Sequence, residues 1–342
     1  LRSGYCPVDV CKLTRELIDI PSVTGEESEV GKYLAQLLER LDYKVEMQEV
    51  TSGRANVIAT TGAPARVVLS THMDTVPPYI ASSEDDEFIH GRGACDAKGI
   101  IAAQIAAAEK LRADGVEEIA LLFTVDEEAT SAGAKEANNH RLASSCRYLI
   151  NGEPTDNRLA IGSKGSLQVT ITTAGRAAHS AYPEQGDSAV EKLLDVLSDI
   201  RQIDWPGDDF FGETTCNIGV ISGGVRSNVV PAEARASLQI RLTTKAAKIR
   251  ELIESVVDGR ASLEFHSAHD PQRMLAVDGF EQTVVRFTTD IPYLTNWGKA
   301  LLIGPGSILD AHTAHERVAK RELLQAVEVY RDLAKRLQNR ER

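Results

Sequence analysis

Apolar side chains at Val30, Tyr33, Leu34, Leu37, Leu38 and Leu41 recur at intervals of three and four, which predicts an amphipathic helix over residues 26–41. The stretch TGEE at 24–27 reads as a capping box in front of it. Short apolar runs at 44–50, 55–60, 66–70, 119–125 and 146–151 read as strands, with an Ala-rich helix at 99–113 and a short helix at 132–140 between them. Strands alternating with helices predict an α/β sheet with helices on both faces.

The rhythm changes near residue 165. Strand 165–174, helix 187–203, strands 214–222 and 234–242, helix 244–257 and strand 261–266 give the order β-α-β-β-α-β, a split βαβ sandwich of ferredoxin type. Beyond it the earlier pattern resumes with a helix at 279–289, a strand at 300–303 and an amphipathic helix at 320–337. The expected organisation is one domain made of residues 1–163 and 270–342, with residues 164–269 inserted into it.

A chain of 342 residues with 42% hydrophobic and 26% charged residues suits a globular protein of one large or two unequal domains. No apolar run reaches the length of a membrane span, and the opening residues lack a signal peptide's apolar core, so a cytoplasmic protein is expected. The net charge of -12 leaves no basic excess for nucleic acid or anionic membrane. Cys6, Cys11, Cys95, Cys146 and Cys216 form neither a CxxC pair nor an even disulfide framework, which fits reduced thiols.

The chemistry gathers where the sheet ends. His72 and Asp74 follow the strand at 66–70; alone, an HxD pair is a loop histidine beside a solvated acid more often than a site. Asp96 sits between the glycines at 91 and 93 and a helix, where by itself it is a helix cap. Three carboxylates in a row, Asp126, Glu127 and Glu128, close the strand at 119–125, Glu153 follows the strand at 146–151, and His312 precedes the final helix. In open α/β sheets ligands bind at that edge. Side chains diverge at a strand end, so one of the paired glutamates can face a metal while its neighbour faces water and substrate.

Together His72, Asp96, Glu128, Glu153 and His312 supply the mixed nitrogen and oxygen donors that Zn²⁺ accepts. Five ligands suit two metals about 3.5–4 Å apart that share one carboxylate. Dications would also turn the repulsion among adjacent carboxylates into attraction. The glycine-rich stretch at 91–99 meets neither the Walker nor the dinucleotide pattern, and no GxSxG elbow is present.

The motifs THMDTVP (71–77), GRGACDAKG (91–99), VDEEATSAGA (125–134), NGEPT (151–155), AAHSAYPEQG (177–186), ISGGVRSNVVP (221–231) and AHTAHE (311–316) resemble, in order, those of the M20 metallohydrolases, the group of acetylornithine deacetylase, succinyl-diaminopimelate desuccinylase and glutamate carboxypeptidase. That resemblance implies a zinc-peptidase-type α/β catalytic domain, with a mixed central sheet flanked by helices, and an inserted ferredoxin-like lid through which relatives dimerise. It also implies two divalent ions, Zn²⁺ foremost with Co²⁺ or Mn²⁺ as alternatives, held by His72, Asp96 as bridge, Glu128, Glu153 and His312. Asp74 would orient His72 through its other ring nitrogen, and Glu127 would be the general base. His179 would steady the oxyanion, from the opposite subunit in dimers, and Asn228 and Arg241 would hold a substrate carboxylate.

Departures fall near the pocket wall. The segment 75–90 is short, Ala97 replaces a common Met, and Ala129-Thr130 replaces a glycine-containing turn. His90, His140, His266 and His269 match no ligand position, and His315 is expected outside the ligand set. The leading expectation is hydrolysis of an N-acyl amino acid, of the deacetylase type, with a carboxypeptidase or dipeptidase as the alternative. A catalytically silent scaffold is the rival of another class.

Overall fold

The computed structural model describes residues 8–340. Cys6 and the opening residues lie outside them. The chain separates into two compact units: residues 1–161, 274–283 and 289–342 in the first, and residues 162–273 and 284–288 in the second.

In chain order, the first unit begins with α1 (Val10–Ile18), whose N-terminal amides at Cys11 and Lys12 are accepted by the Asp9 carboxylate. Next come α2 (Ser28–Arg40), β1 (Lys44–Thr51), β2 (Arg54–Thr60), β3 (Val67–His72), β4 (Ser83–Glu84), β5 (Phe88–His90) and α3 (Lys98–Ala113). They are followed by β6 (Ile119–Thr124), α4 (Ala132–Ala137), β7 (Tyr148–Asn151) and β8 (Leu159–Ser163), which runs into the second unit.

Within the second unit lie β9 (Gly165–Ala174), α5 (Ala189–Arg201), β10 (Thr215–Gly223), β11 (Glu233–Leu242), α6 (Ala246–Val257) and β12 (Ser262–His269). Its antiparallel sheet runs β10-β11-β9-β12, the strand order of a ferredoxin-like βαββαβ unit. Alternate residues of β9 and β11, such as Val169, Ile171, Leu238 and Ile240, are buried with Leu193, Val196 and Ile253 of the two helices.

The chain then returns to the first unit with β13 (Lys299–Leu302), β14 (Arg317–Ala319) and α7 (Lys320–Asn339). The sheet of this unit is ordered β1-β2-β6-β3-β7-β13 and continues to β8, which pairs antiparallel with β13. β6, β3, β7 and β13 are parallel, while β1 and β2 join antiparallel, so the sheet is mixed. The central strands read as continuous apolar runs because both faces are covered: every residue of β3, β6 and β7 is buried. α3 is apolar on most of its circumference because α1, α7 and β3 all pack against it. Four parallel strands aim their C-terminal ends the same way, and the loops beyond those ends carry the chemistry.

Three expectations need correction. Residues 279–289 are not helical; they contain the strand Gln282–Val285, in keeping with the β-branched run Thr283, Val284 and Val285. The TGEE stretch forms no capping box: Glu27 is itself the N-cap of α2 but makes no side-chain cap bond, its carboxylate meeting Arg54 and the Thr24 hydroxyl meeting Asp74. α1 was not foreseen although Val10, Leu13, Leu17 and Ile18 recur at helical intervals, and the strands of the small sheet β14-β5-β4 are too short to show a period. Residues 284–288 group with the second unit, although the expected boundary at 269 placed them in the first.

Candidate metal centre

His72 is the last residue of β3, and its Nε2 lies 2.9 Å from Asp96 Oδ1. The other Asp96 oxygen is 3.3 Å from His312 Nε2, which in turn lies 2.9 Å from Glu128 Oε1. Asp96 therefore stands between the two imidazoles, the place a bridging carboxylate would take. One ligand atom each from His72, Asp96 and Glu128 lie within 4.8 Å of one another. Glu153, in the loop after β7, is buried, and its Oε1 has no hydrogen-bond partner among the described residues.

The local backbone explains the convergence. Asp126 and His312 adopt left-handed φ angles of 69° and 62°, uncommon for residues with a side chain and a cost that surrounding contacts must offset. At Asp126 those contacts are visible: its carbonyl accepts the Ser131 amide, its Oδ2 accepts Thr130 N–H, and its Oδ1 receives Arg54 Nη2 at 2.7 Å. Arg54 also grips Glu27 through two bonds of 2.6 Å, and Glu27 accepts the Asp126 amide. Glu27 is thus the anchor of the turn that presents Glu127 and Glu128. Gly304 lets the strand-end loops approach, because a Cβ there would meet the Glu153 carbonyl at 2.5 Å.

Asp74 acts differently from expectation. The His72 Nδ1–H points at the Asp74 main-chain carbonyl, 3.0 Å away, while the nearer carboxylate oxygen is at 3.6 Å. The carboxylate instead accepts the amides of Glu127 and Glu128, both at 3.1 Å, and the Thr24 hydroxyl at 2.8 Å. The physical reason is position: two residues past the strand end, the Asp74 side chain meets the 126–128 turn and its carbonyl meets the ring.

Electrostatics fit cations. Burial, with the charge of Glu153 beside it, drives Glu127 well above the usual carboxylate range. Glu128 and Glu153 are raised too, foremost by burial, with Asp96 adding to it. His312 is lifted to about 10 by its bonds to Asp96 and Glu128, and burial opposes but does not cancel the rise of His72 caused by Asp74 and Asp96. So many carboxylates straining to keep protons, facing imidazoles straining to hold them, describe a site short of positive charge. Fixing the proton on His72 Nδ1 leaves Nε2 as the donor atom toward that charge. With the orphaned Glu153 Oε1 and the nitrogen and oxygen donor set, the residues fit divalent metal.

Of the remaining expected residues, His179, Asn228 and Arg241 belong to the second unit. His179 is exposed, and its Nδ1 accepts the Ala181 amide at 3.1 Å. The Ser180 amide donates to the Asn228 carbonyl, so these two segments adjoin. Arg241 lies on β11, half-buried, and burial lowers its pKa. Asp290 was not foreseen: it is buried, Thr124 donates to its Oδ2, and burial raises it to about 6. Its sequence context, TTD, carries no motif signal on its own.

The family model described as Peptidase family M20/M25/M40 matches residues 68–336. A peptidase M20 domain-containing protein of Schizosaccharomyces pombe is 37% identical, over 94% of this chain and 83% of that one. A protein of Aspergillus terreus named a probable carboxypeptidase is 38% identical, over 93% of this chain and 84% of its own length. Among solved structures, a tripeptidase from Staphylococcus aureus shares the fold with a TM-score of 0.80 at 21% identity, covering 95% of this chain and 98% of that one.

Proposed function

Because the chain belongs to peptidase family M20/M25/M40, a family of amide-bond hydrolases, we propose that it is a metal-dependent carboxypeptidase acting on short peptides with a free terminal carboxylate. The observation that carries the reading is the convergence of His72, Asp96 and Glu128 donor atoms within 4.8 Å, with Glu153 and His312 beside them. The carboxypeptidase names of the curated relatives favour this substrate class over the N-acyl amino acids that the leading sequence expectation placed first.

His72, Asp96, Glu128, Glu153 and His312 would hold two divalent ions, Asp96 between them. Bound there, the ions would acidify water and polarise the scissile carbonyl. Glu127 would take the proton from the attacking water and deliver it to the departing amine. Asp74, accepting the amides of Glu127 and Glu128, fixes the base and its neighbouring ligand on one rigid turn. His179 would donate to the oxyanion: with Nδ1 engaged as acceptor, its proton sits on Nε2. Arg241, half-buried with no acidic partner among the described residues, and Asn228 would hold the substrate carboxylate. β10 lies at the edge of its sheet with Val220 and Ile221 exposed, which supports dimerisation through the second unit.

The test is a panel run on Zn²⁺-, Co²⁺- and Mn²⁺-loaded protein: N-blocked dipeptides, free dipeptides and tripeptides, and N-acetyl and N-succinyl amino acids, with products identified by mass. Release of the C-terminal residue from blocked dipeptides, with kcat/KM well above that for the acyl amino acids, is expected. Faster cleavage of N-acetyl or N-succinyl amino acids would return the assignment to the deacylase class, and metal-loaded protein inert on every member would revive the scaffold reading.

A further inference from the structure

Glu316 belongs to the AHTAHE motif, yet the reaction assigns it nothing. Its carboxylate is fully buried. Oε1 accepts the main-chain amides of Gly93, Asp96 and Cys95 at 2.9, 3.2 and 3.3 Å. Oε2 receives Arg92 Nη1 at 2.7 Å, and the Glu316 carbonyl accepts the Gly91 amide at 3.0 Å. The amides of Gly93, Cys95 and Asp96 have no backbone acceptor among the described residues. They precede α3, whose N-cap Ala97 offers no side-chain bond. The loop 91–97 is therefore shaped around one remote oxygen, with Gly93 at φ +90° and its face pressed against Lys98 and Thr75. Glu316 lies four residues after His312 on the same segment.

We propose that Glu316 is a positioning residue for the metal centre: its Oε1 moulds the loop that presents Asp96 and ties it to the segment that presents His312, so the two ligands keep one spacing. The inference rests on the reading that Asp96 and His312 are ligands. A carboxylate present only to neutralise Arg92 would need Oε2 alone. Three converging amides on Oε1 form a cradle in reverse, with protein backbone gripping its own anion, and what they fix is the backbone of a ligand.

The two roles separate in two conservative variants. Glu316→Gln keeps an oxygen within reach of the amides but removes the charge facing Arg92. Glu316→Asp keeps the charge but draws the oxygen back by one methylene. Metal-stripped protein is titrated with Zn²⁺ against a chromogenic chelator, and Co²⁺ absorption in the visible reports coordination geometry. If Oε1 positions Asp96, Glu316→Asp loses about 10- to 100-fold in Zn²⁺ affinity, the usual effect of removing a partner that orients a ligand, and its Co²⁺ spectrum changes. Glu316→Gln binds within about threefold of the parent with an unchanged Co²⁺ spectrum, although its denaturation midpoint falls because Arg92 is left buried and unpaired.

Should Glu316→Gln fail to fold, the same measurement is made in Glu316→Gln/Arg92→Met, which removes the stranded cation. Wild-type affinity in Glu316→Asp, or an equal loss in both variants, overturns the proposal. Asp96→Ala is the reference: loss of bound metal there while Glu316→Asp binds normally rejects the positioning role alone, and full metal stoichiometry in Asp96→Ala rejects the ligand reading itself.

Discussion

Replacing Glu27 by Ala is expected to destabilise the first unit by about 3–5 kcal/mol, the range for stranding one partner of a buried ion pair. Glu27 has a side chain with no exposed surface, and its two oxygens each lie 2.6 Å from the Arg54 guanidinium, which is itself only 17% exposed. Hydrogen bonds to charged groups contribute about 1.5–3 kcal/mol each. One of the contacts left to Arg54 is Asp126 at 2.7 Å, which retains part of that interaction and sets the expectation at the lower end of the range. The Asp126 amide also loses its acceptor.

The assay is urea unfolding of the metal-free protein in a Trp205→Phe background, so that fluorescence comes from the buried Trp297 of the first unit. A double-mutant cycle with Arg54→Ala isolates the pair, and a coupling of about 2–3 kcal/mol is expected for residues in one network. Turnover should fall along with stability, because a displacement near 1 Å in a catalytic group can cost about 100-fold. A loss below about 1 kcal/mol for Glu27→Ala, or strict additivity in the cycle, would refute the view that this buried pair holds the 126–128 turn.

Other expectations follow from the same site. Glu127→Gln should lower kcat by about 10²–10⁴-fold while elemental analysis finds unchanged metal, since it removes proton transfer and no proposed ligand; residual turnover within tenfold would dismiss Glu127 as the base. Chelation should abolish activity and lower the melting temperature, with both restored by Zn²⁺, because ions that bind only the folded state stabilise it by about 4 kcal/mol at a thousand times Kd. Melting and turnover indifferent to chelator would remove metal from the mechanism. Asp290, raised to about 6 in the fold, holds its proton longer folded than unfolded. Asp290's own contribution to the stability of the metal-free protein should therefore fall, by about 2–3 kcal/mol, as pH rises from about 4 to 6. Asp290→Asn should flatten that slope, and an identical pH profile would show that Asp290 is not the group responsible.

The sheet and the inserted unit were legible because their periods are plain: alternate burial along β9 and β11, and continuous apolar runs in β3, β6 and β7, are what the residue pattern writes directly. His72, Asp96, Glu128 and His312 were legible as a cluster because each follows a strand or precedes a helix at one edge. What escaped was support that comes from far away in sequence. TGEE has the spacing of a capping box, but Glu27 is drawn off by Arg54, and Thr24 by Asp74, both beyond the reach of local rules. The Asp74 carboxylate was expected to orient His72, yet the ring meets its main-chain carbonyl, because the turn beyond β6 draws the carboxylate to its own amides. Residues 279–289 misled because Phe280, Val284 and Val285 mimic a helical interval over a span too short to distinguish it from a strand.

β13 has a consequence for the order in which the molecule can be made. It pairs with β7 through the register Lys299↔Tyr148 to Leu302↔Asn151, so β7 keeps one open edge until residue 302 has been synthesised. About 150 residues separate the two strands, which at ribosomal rates of about 5–20 residues per second is a wait of roughly 8–30 s. The inserted βαββαβ unit has its strands between residues 165 and 269 and can close during that interval. The nascent chain thus carries a finished unit behind an unfinished sheet, and the most exposed moment in its life comes before His312 has left the ribosome.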